Sequence, residues 1–169
     1  MKKLLPLLLI FFGYTAMAQG PVQTTNAISA GFELAIPSGG VFSIGTGASL
    51  KAEFPFAAPM LSISVTGGVT PMFYRGNLFG NAKTPGAALF VPLKAGLKYF
   101  FARGVYAEGE AGAALEANYN HATPFAFSIG PGFVISSNDK SGVDIGFRYE
   151  DWSGVLRQTA IRVAYRFGW

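Results

Sequence analysis

Cysteine is missing from all 169 residues. No disulfide can staple the chain, and the lipid-anchoring cysteine of a bacterial lipoprotein is absent. Histidine is nearly missing: His121 stands alone, and with no cluster of His, Cys and carboxylate at ligand spacing no metal site is expected. Charge is scarce. Asp, Glu, Lys and Arg make up 13% of the chain, and the formal charge of +4 contains no basic run, so nucleic acid is not an expected partner. Beyond the first twenty residues there is no run of 18 apolar residues, which excludes a spanning helix there. Yet 50% of the residues are hydrophobic and 16 are phenylalanine. An apolar composition without spanning helices leaves one way to live in lipid: a closed β-barrel, in which every backbone group pairs with a neighbouring strand.

The chain opens with MKKLLPLLLIFFGYTAMAQG. Lys2 and Lys3, an apolar stretch from Leu4 to about Tyr14, and small residues at Ala16 and Ala18 follow the pattern of a secretory signal peptide, with cleavage expected between Ala18 and Gln19. The apolar stretch is too short for a membrane anchor. Residues 1–18 are thus expected to be the signal and 19–169 a single barrel domain, large enough to fold alone. Without Lys2 and Lys3 the formal charge falls from +4 to +2.

From residue 28 onward the sequence alternates with period two, as strands exposed to different media on their two faces must. Eight such segments are expected, near 28–36, 42–54, 61–70, 91–101, 106–116, 125–136, 143–150 and 160–169. In the first, Ile28, Ala30, Phe32, Leu34 and Ile36 oppose Ser29, Gly31, Glu33 and Ala35. In the last, AIRVAYRFGW, Ile161, Val163, Tyr165, Phe167 and Trp169 oppose Ala160, Arg162, Ala164, Arg166 and Gly168. Charges follow the same parity. Glu33, Lys51, Glu53, Lys94, Lys98, Glu108, Glu110, Glu116, Asp144, Arg148, Glu150, Arg162 and Arg166 all fall on the polar face, and none lies mid-strand on the apolar one. Hydrocarbon demands this, because Lys or Arg on a lipid-facing strand costs roughly 2–4 kcal/mol at the midplane.

Periodicity does not say which face points inward; volume does. The apolar face carries too many bulky side chains for an eight-stranded interior, which is only just wide enough to be filled. The polar face mixes its charges with Gly, Ala and Ser, as a crowded lumen requires. The expected fold is therefore all-β: an eight-stranded antiparallel up-and-down transmembrane barrel, apolar outside and charged within. An even strand count leaves both termini on the periplasmic side. Periplasmic turns are expected at 56–59, 102–104 and 138–141, and outer loops at 37–40, 75–86, 120–124 and 153–158. Aromatic girdles are expected from Phe54, Tyr99, Phe101 and Trp169 on the periplasmic side and from Phe73, Phe90, Tyr119, Phe125 and Tyr149 on the outer side. Pro92 and Pro131 each remove a ladder donor and should mark bulges or irregular pairing.

The stretches FELAIPSGG, GASLKAEFPF, VPLKAGLKYFF, VYAEGEAGAA, VDIGFRYEDWSG and IRVAYRFGW resemble the strand signatures of the small outer-membrane β-barrel proteins of Gram-negative bacteria, the porin-like or OmpX-like eight-stranded barrels. The likeness spans the sequence after the signal. It implies an outer-membrane location reached through the periplasm, a monomer in outer-membrane lipid, and no assigned enzyme activity. It also implies that Val163, Tyr165, Phe167 and the terminal Trp169 form the C-terminal sorting signal read by the barrel-assembly machinery.

The thirteen polar-face charges are the main candidate site, expected to pair off inside the lumen. Hairpin geometry places Lys98 opposite Glu108, and a similar register guess faces Glu150 with Arg162. The leading expectation is a charge-plugged lumen in a structural or surface-interaction protein. A narrow ion or small-solute pore is the alternative, and an outer-membrane lipid-modifying enzyme a further one. Ester chemistry would need His121 beside a serine and a carboxylate; Ser128 and Glu116 are near in sequence but on the lumen face, while His121 is in a loop. No catalytic residue and no cofactor is expected. GNLFGNAKTPG lacks phosphate-loop spacing and reads as an outer loop.

Overall fold

The computed structural model describes residues 24–76, 86–136 and 141–169. Eight antiparallel strands run in chain order, β1 (Ala27–Pro37), β2 (Phe42–Phe56), β3 (Ala58–Tyr74), β4 (Ala88–Ala102), β5 (Val105–Glu116), β6 (Phe125–Ser136), β7 (Ser141–Trp152) and β8 (Leu156–Gly168), and β8 pairs with β1 to close a barrel. The signal and cleavage residues Ala16, Ala18 and Gln19, most of the 75–86 loop, and residues 138–140 of the expected 138–141 turn lie outside the described residues.

Register fixes the size of the barrel. Stepping from partner to partner, Ala27 leads to Glu53, Ser64, Gly96, Glu110, Ser128, Glu150 and Gln158, then back to β1 at Pro37, a stagger of ten residues over eight strands. With a rise of about 3.3 Å per residue and a strand spacing of about 4.8 Å, this tilts the strands by roughly 40° and sets a backbone radius of roughly 8 Å. Side chains fill such an interior.

The alternation places polarity opposite to a soluble protein. Among the described residues, thirty large hydrophobic side chains are exposed on the outside, Phe32 the most at 79%. Buried within are Glu33, Lys51, Glu53, Lys94, Lys98, Glu110, Glu116, Asp144, Glu150 and Arg162, with Glu108, Arg148 and Arg166 only slightly less covered. Chains that end in water would not leave that much oil outside and that much charge inside.

Several local expectations need correction. Alternation over 42–54 puts Phe42 on the apolar face with Ile44, which is expected outside. The β2–β3 ladder shifts register between Phe42 and Ile44, so Ser43 is an extra residue, and Phe42 turns inward and is buried. Phe90 is not part of the outer girdle: it shares parity with Lys94 and Lys98 and is 1% exposed inside the barrel. Strand β8 starts at Leu156 rather than Ala160, and β3 at Ala58 rather than Leu61. The prolines interrupt pairing without adding a residue. The β3–β4 partners resume in the same register on either side of Val91 and Pro92, and the β6–β7 partners do so around Gly130 and Pro131. The other aromatics expected in the girdles, including Phe54, Tyr99, Phe101, Phe73, Tyr119, Phe125 and Tyr149, are exposed on the outside.

Candidate functional site

The lumen is built in three layers, set by height along the tilted strands. Nearest the end where β1 begins and β8 ends, the Lys98 ammonium lies 2.6 Å from Glu53 Oε1 and 2.8 Å from Asp144 Oδ2. Arg166 reaches Glu53 Oε2 at 3.1 Å, and the Tyr106 hydroxyl donates to Asp144 Oδ1. The ring of Tyr106 sits 3.8 Å from the Lys98 ammonium, adding a cation–π contact to a charge that is fully buried. Tyr106 is paired with Gly132, and a Cβ there would fall 2.2 Å from the tyrosine ring. Glycine therefore makes the space in which Tyr106 lies flat against the wall.

The middle layer is a continuous chain of opposite charges. Lys51 binds Glu108 and lies 3.4 Å from Glu110; Lys94 joins Glu110 at 3.4 Å to Glu150 at 2.5 Å. Arg148 then links Glu150, at 2.6 Å, to Glu33, and Arg162 lies 3.6 Å from Glu33. Neutral donors complete it. Thr66 and Ser128 donate to Glu110, and Gln158 donates to Glu150 at 2.7 Å. Arg162 donates to Ser49 at 2.8 Å. Across both layers Glu33, Glu53, Glu108, Glu110, Asp144 and Glu150 match Lys51, Lys94, Lys98, Arg148, Arg162 and Arg166 one for one, and each has at least one opposite partner. Charges taken from water survive only with that compensation.

The far end is apolar. Phe42, Met72, Ala88, Phe90, Ala114, Ala126, Trp152 and Leu156 pack together inside the barrel, with Tyr74 and Val155 against them. Phe90 meets Trp152 at 5.0 Å between ring centroids and Phe42 at 6.1 Å, edge to face. Glu116 is buried at this height opposite Phe90, and among the described residues it joins no ion pair. Between the layers a cavity of about 20 Å³, lined by Lys51, Tyr106, Glu110, Ser128, Arg148 and Arg162 among others, is room for about one water.

All thirteen polar-face charges thus point inward, but two partner guesses change. Lys98 does stand opposite Glu108 in the ladder, yet its ion pairs cross the lumen to Glu53 and Asp144, while Glu108 pairs with Lys51. Glu150 faces Gln158 and Arg162 faces Gly146, because β8 begins four residues earlier than expected. The apolar layer was not expected at all. Its signal was parity carried past the assumed strand ends: Met72, Phe90, Trp152 and Leu156 keep step with Thr70, Lys94, Glu150 and Arg162. The candidates for ester chemistry stay apart, since His121 is exposed in the loop after β5, at φ 51°, while Ser128 is buried among Lys94 and Glu110. Among the described residues, no three His, Cys, Asp or Glu side chains are grouped to hold a metal ion.

No family model matches the sequence, and no curated protein does. Solved structures do match the fold. The outer membrane protein OprG from Pseudomonas aeruginosa is similar at a TM-score of 0.58 and 13% identity, over 89% of this chain and 96% of that one. Ail, the attachment invasion locus protein of Yersinia pestis, is similar at a TM-score of 0.57 and 16% identity, over 86% of this chain and 99% of that one. The chain has the fold of the small outer-membrane β-barrels. A de novo designed transmembrane β-barrel matches too, at a TM-score of 0.53 and 15% identity over 85% of this chain and 98% of the design. The barrel is thus a solution set by lipid and strand geometry, on which evolution and design converge, and it carries no function by itself. Val163, Tyr165, Phe167 and Trp169, the resemblance's sorting residues, are exposed on the outside of the closing strand and at its end.

Proposed function

We propose that the protein is a monomeric barrel of the outer membrane, exported through the periplasm, with a non-enzymatic structural or surface-interaction role and a lumen closed to ions. The observation that carries this reading is the combination of layers inside: a charge network in which every member of two layers is neutralised, capped by a packed aromatic layer at the far end. An ion would have to break buried pairs and then cross the packed apolar layer, in which Glu116 is also buried. Outer-membrane lipid is the medium of the exposed wall, and the barrel-assembly machinery is the partner that the terminal Val163, Tyr165, Phe167 and Trp169 would address.

Conductance of the refolded protein in a planar bilayer tests the reading. The expected result is silence from a folded barrel. Steady single-channel steps whose ion selectivity changed in Lys98→Ala or Glu108→Ala would replace it with the pore. The enzyme alternative has its own test: turnover of lipid esters by purified protein that disappeared in His121→Ala would restore it.

A further inference from the structure

The hairpin between β2 and β3 differs from the neighbouring β4–β5 turn. Residues 54–61 read FPFAAPML, with no charge and no side-chain nitrogen or oxygen. The strands nearly meet: β2 ends at Phe56, β3 starts at Ala58, and the reversal is made at Ala57 with φ 57°. Non-glycine residues seldom take that left-handed conformation, and Gly, Asn or Asp would hold it with less strain. The neighbouring β4–β5 turn shows the ordinary arrangement, with Gly104 at positive φ and the charged Arg103 beside it. On the far side, Gly39, Gly40, Gly154 and the polar His121 take the positive-φ positions. A turn surrounded by water has no reason to be apolar throughout; a turn in contact with lipid has, since a polar side chain there must be desolvated.

The tip is also continuous with the apolar wall. Phe54, Phe56 and Met60 are exposed, and Tyr99 on β4 extends its hydroxyl to Met60 Sδ at 3.9 Å, so the large apolar side chains of the wall continue to the end of the hairpin, with Thr24 N donating to Pro59 O at 2.8 Å beside it. From these observations we infer that the β2–β3 tip is a membrane-contact element, seated among lipid at the headgroup–acyl boundary of the leaflet nearest the start of β1 and the end of β8, so that the membrane covers this sector of the barrel further down than its neighbours. The inference rests on the reading of the outer wall as lipid-facing.

Because the chain has no cysteine, single-cysteine variants carry one label each. Ala57→Cys reports the tip, Phe56→Cys repeats it should the first variant fail to fold, Leu50→Cys reports the wall, and Arg103→Cys reports the neighbouring turn. Each is labelled with bimane and refolded into phosphatidylcholine vesicles, with heat-modifiable gel mobility confirming the barrel. Quenching is measured by brominated acyl chains and by aqueous iodide. The expected result is tip quenching by brominated lipid at least half that at position 50, with iodide quenching several-fold below that at position 103. A tip label quenched by iodide as strongly as position 103, while position 50 stays lipid-quenched, overturns the inference and leaves the wall reading standing. Failure of lipid quenching at position 50 itself overturns both.

Discussion

Lys98 offers the most direct test of whether the lumen behaves as a dry, paired interior. Its ammonium is fully buried, is held at 2.6 Å by Glu53 and 2.8 Å by Asp144, and lies over the Tyr106 ring. Lys98→Ala removes the cation and leaves two buried carboxylates. Removing one member of a buried pair costs roughly 3–5 kcal/mol. The lower end applies here, since Glu53 keeps Arg166 at 3.1 Å and Asp144 keeps the Tyr106 hydroxyl, so the expected loss is about 3 kcal/mol. The paired variant Lys98→Met with Asp144→Asn removes both charges and should recover to within about 1 kcal/mol of the parent, about 2 kcal/mol more stable than Lys98→Ala. Arg157→Ala is the control, because the Arg157–Asp151 pair at 2.9 Å is exposed and such pairs contribute less than about 1 kcal/mol. Urea unfolding in phospholipid vesicles, followed by fluorescence of Trp152 and Trp169, measures all three. A Lys98→Ala loss no larger than that of Arg157→Ala would show that water reaches and screens the network, and the closed-lumen reasoning would fail.

Phe90→Ala opens the aromatic layer where Phe90 touches Trp152 and Phe42; a loss of about 3–5 kcal/mol is expected in the same unfolding assay. Gly132→Ala drives a methyl into the Tyr106 ring. It should cost as much as Tyr106→Phe or more, and the two changes together should cost less than their sum, as measured by the same curves. Deleting Trp169 is expected to lower the amount of protein recovered in the outer-membrane fraction several-fold, while leaving the stability of protein refolded from denaturant within about 1 kcal/mol of the parent, since the residue lies past the end of β8 and is exposed.

Much of the wall was legible in the sequence because a two-sided medium imposes strict alternation, and one mid-strand charge on the wrong face would have broken it. Parity puts Glu33, Lys51, Lys94 and Arg162 on one face, and volume turns that face inward. What parity could not reveal is partner choice. Hairpin register sets Lys98 opposite Glu108, but a barrel of roughly 8 Å radius lets a lysine reach across to strands far away in sequence, and Asp144 on β7 is nearer. Phe42 was misplaced because the bulge at Ser43 flips every residue beyond it, and a bulge of one serine leaves no mark in composition. The apolar layer was a different omission: Phe90, Met72, Trp152 and Leu156 already carried inward parity, but the strands were ended too soon to count them.

Lipid on one parity of residues and a closed lumen on the other can be read along a single strand. Single spin labels placed along β6 at Phe125, Ala126, Phe127, Ser128 and Ile129, in vesicles, report collision with lipid-soluble oxygen and with a water-soluble nickel chelate. The account predicts strict alternation, with positions 125, 127 and 129 open to oxygen and positions 126 and 128 shielded from both reagents. High nickel accessibility at positions 126 and 128 would contradict the closed lumen, and oxygen accessibility without alternation would contradict the barrel.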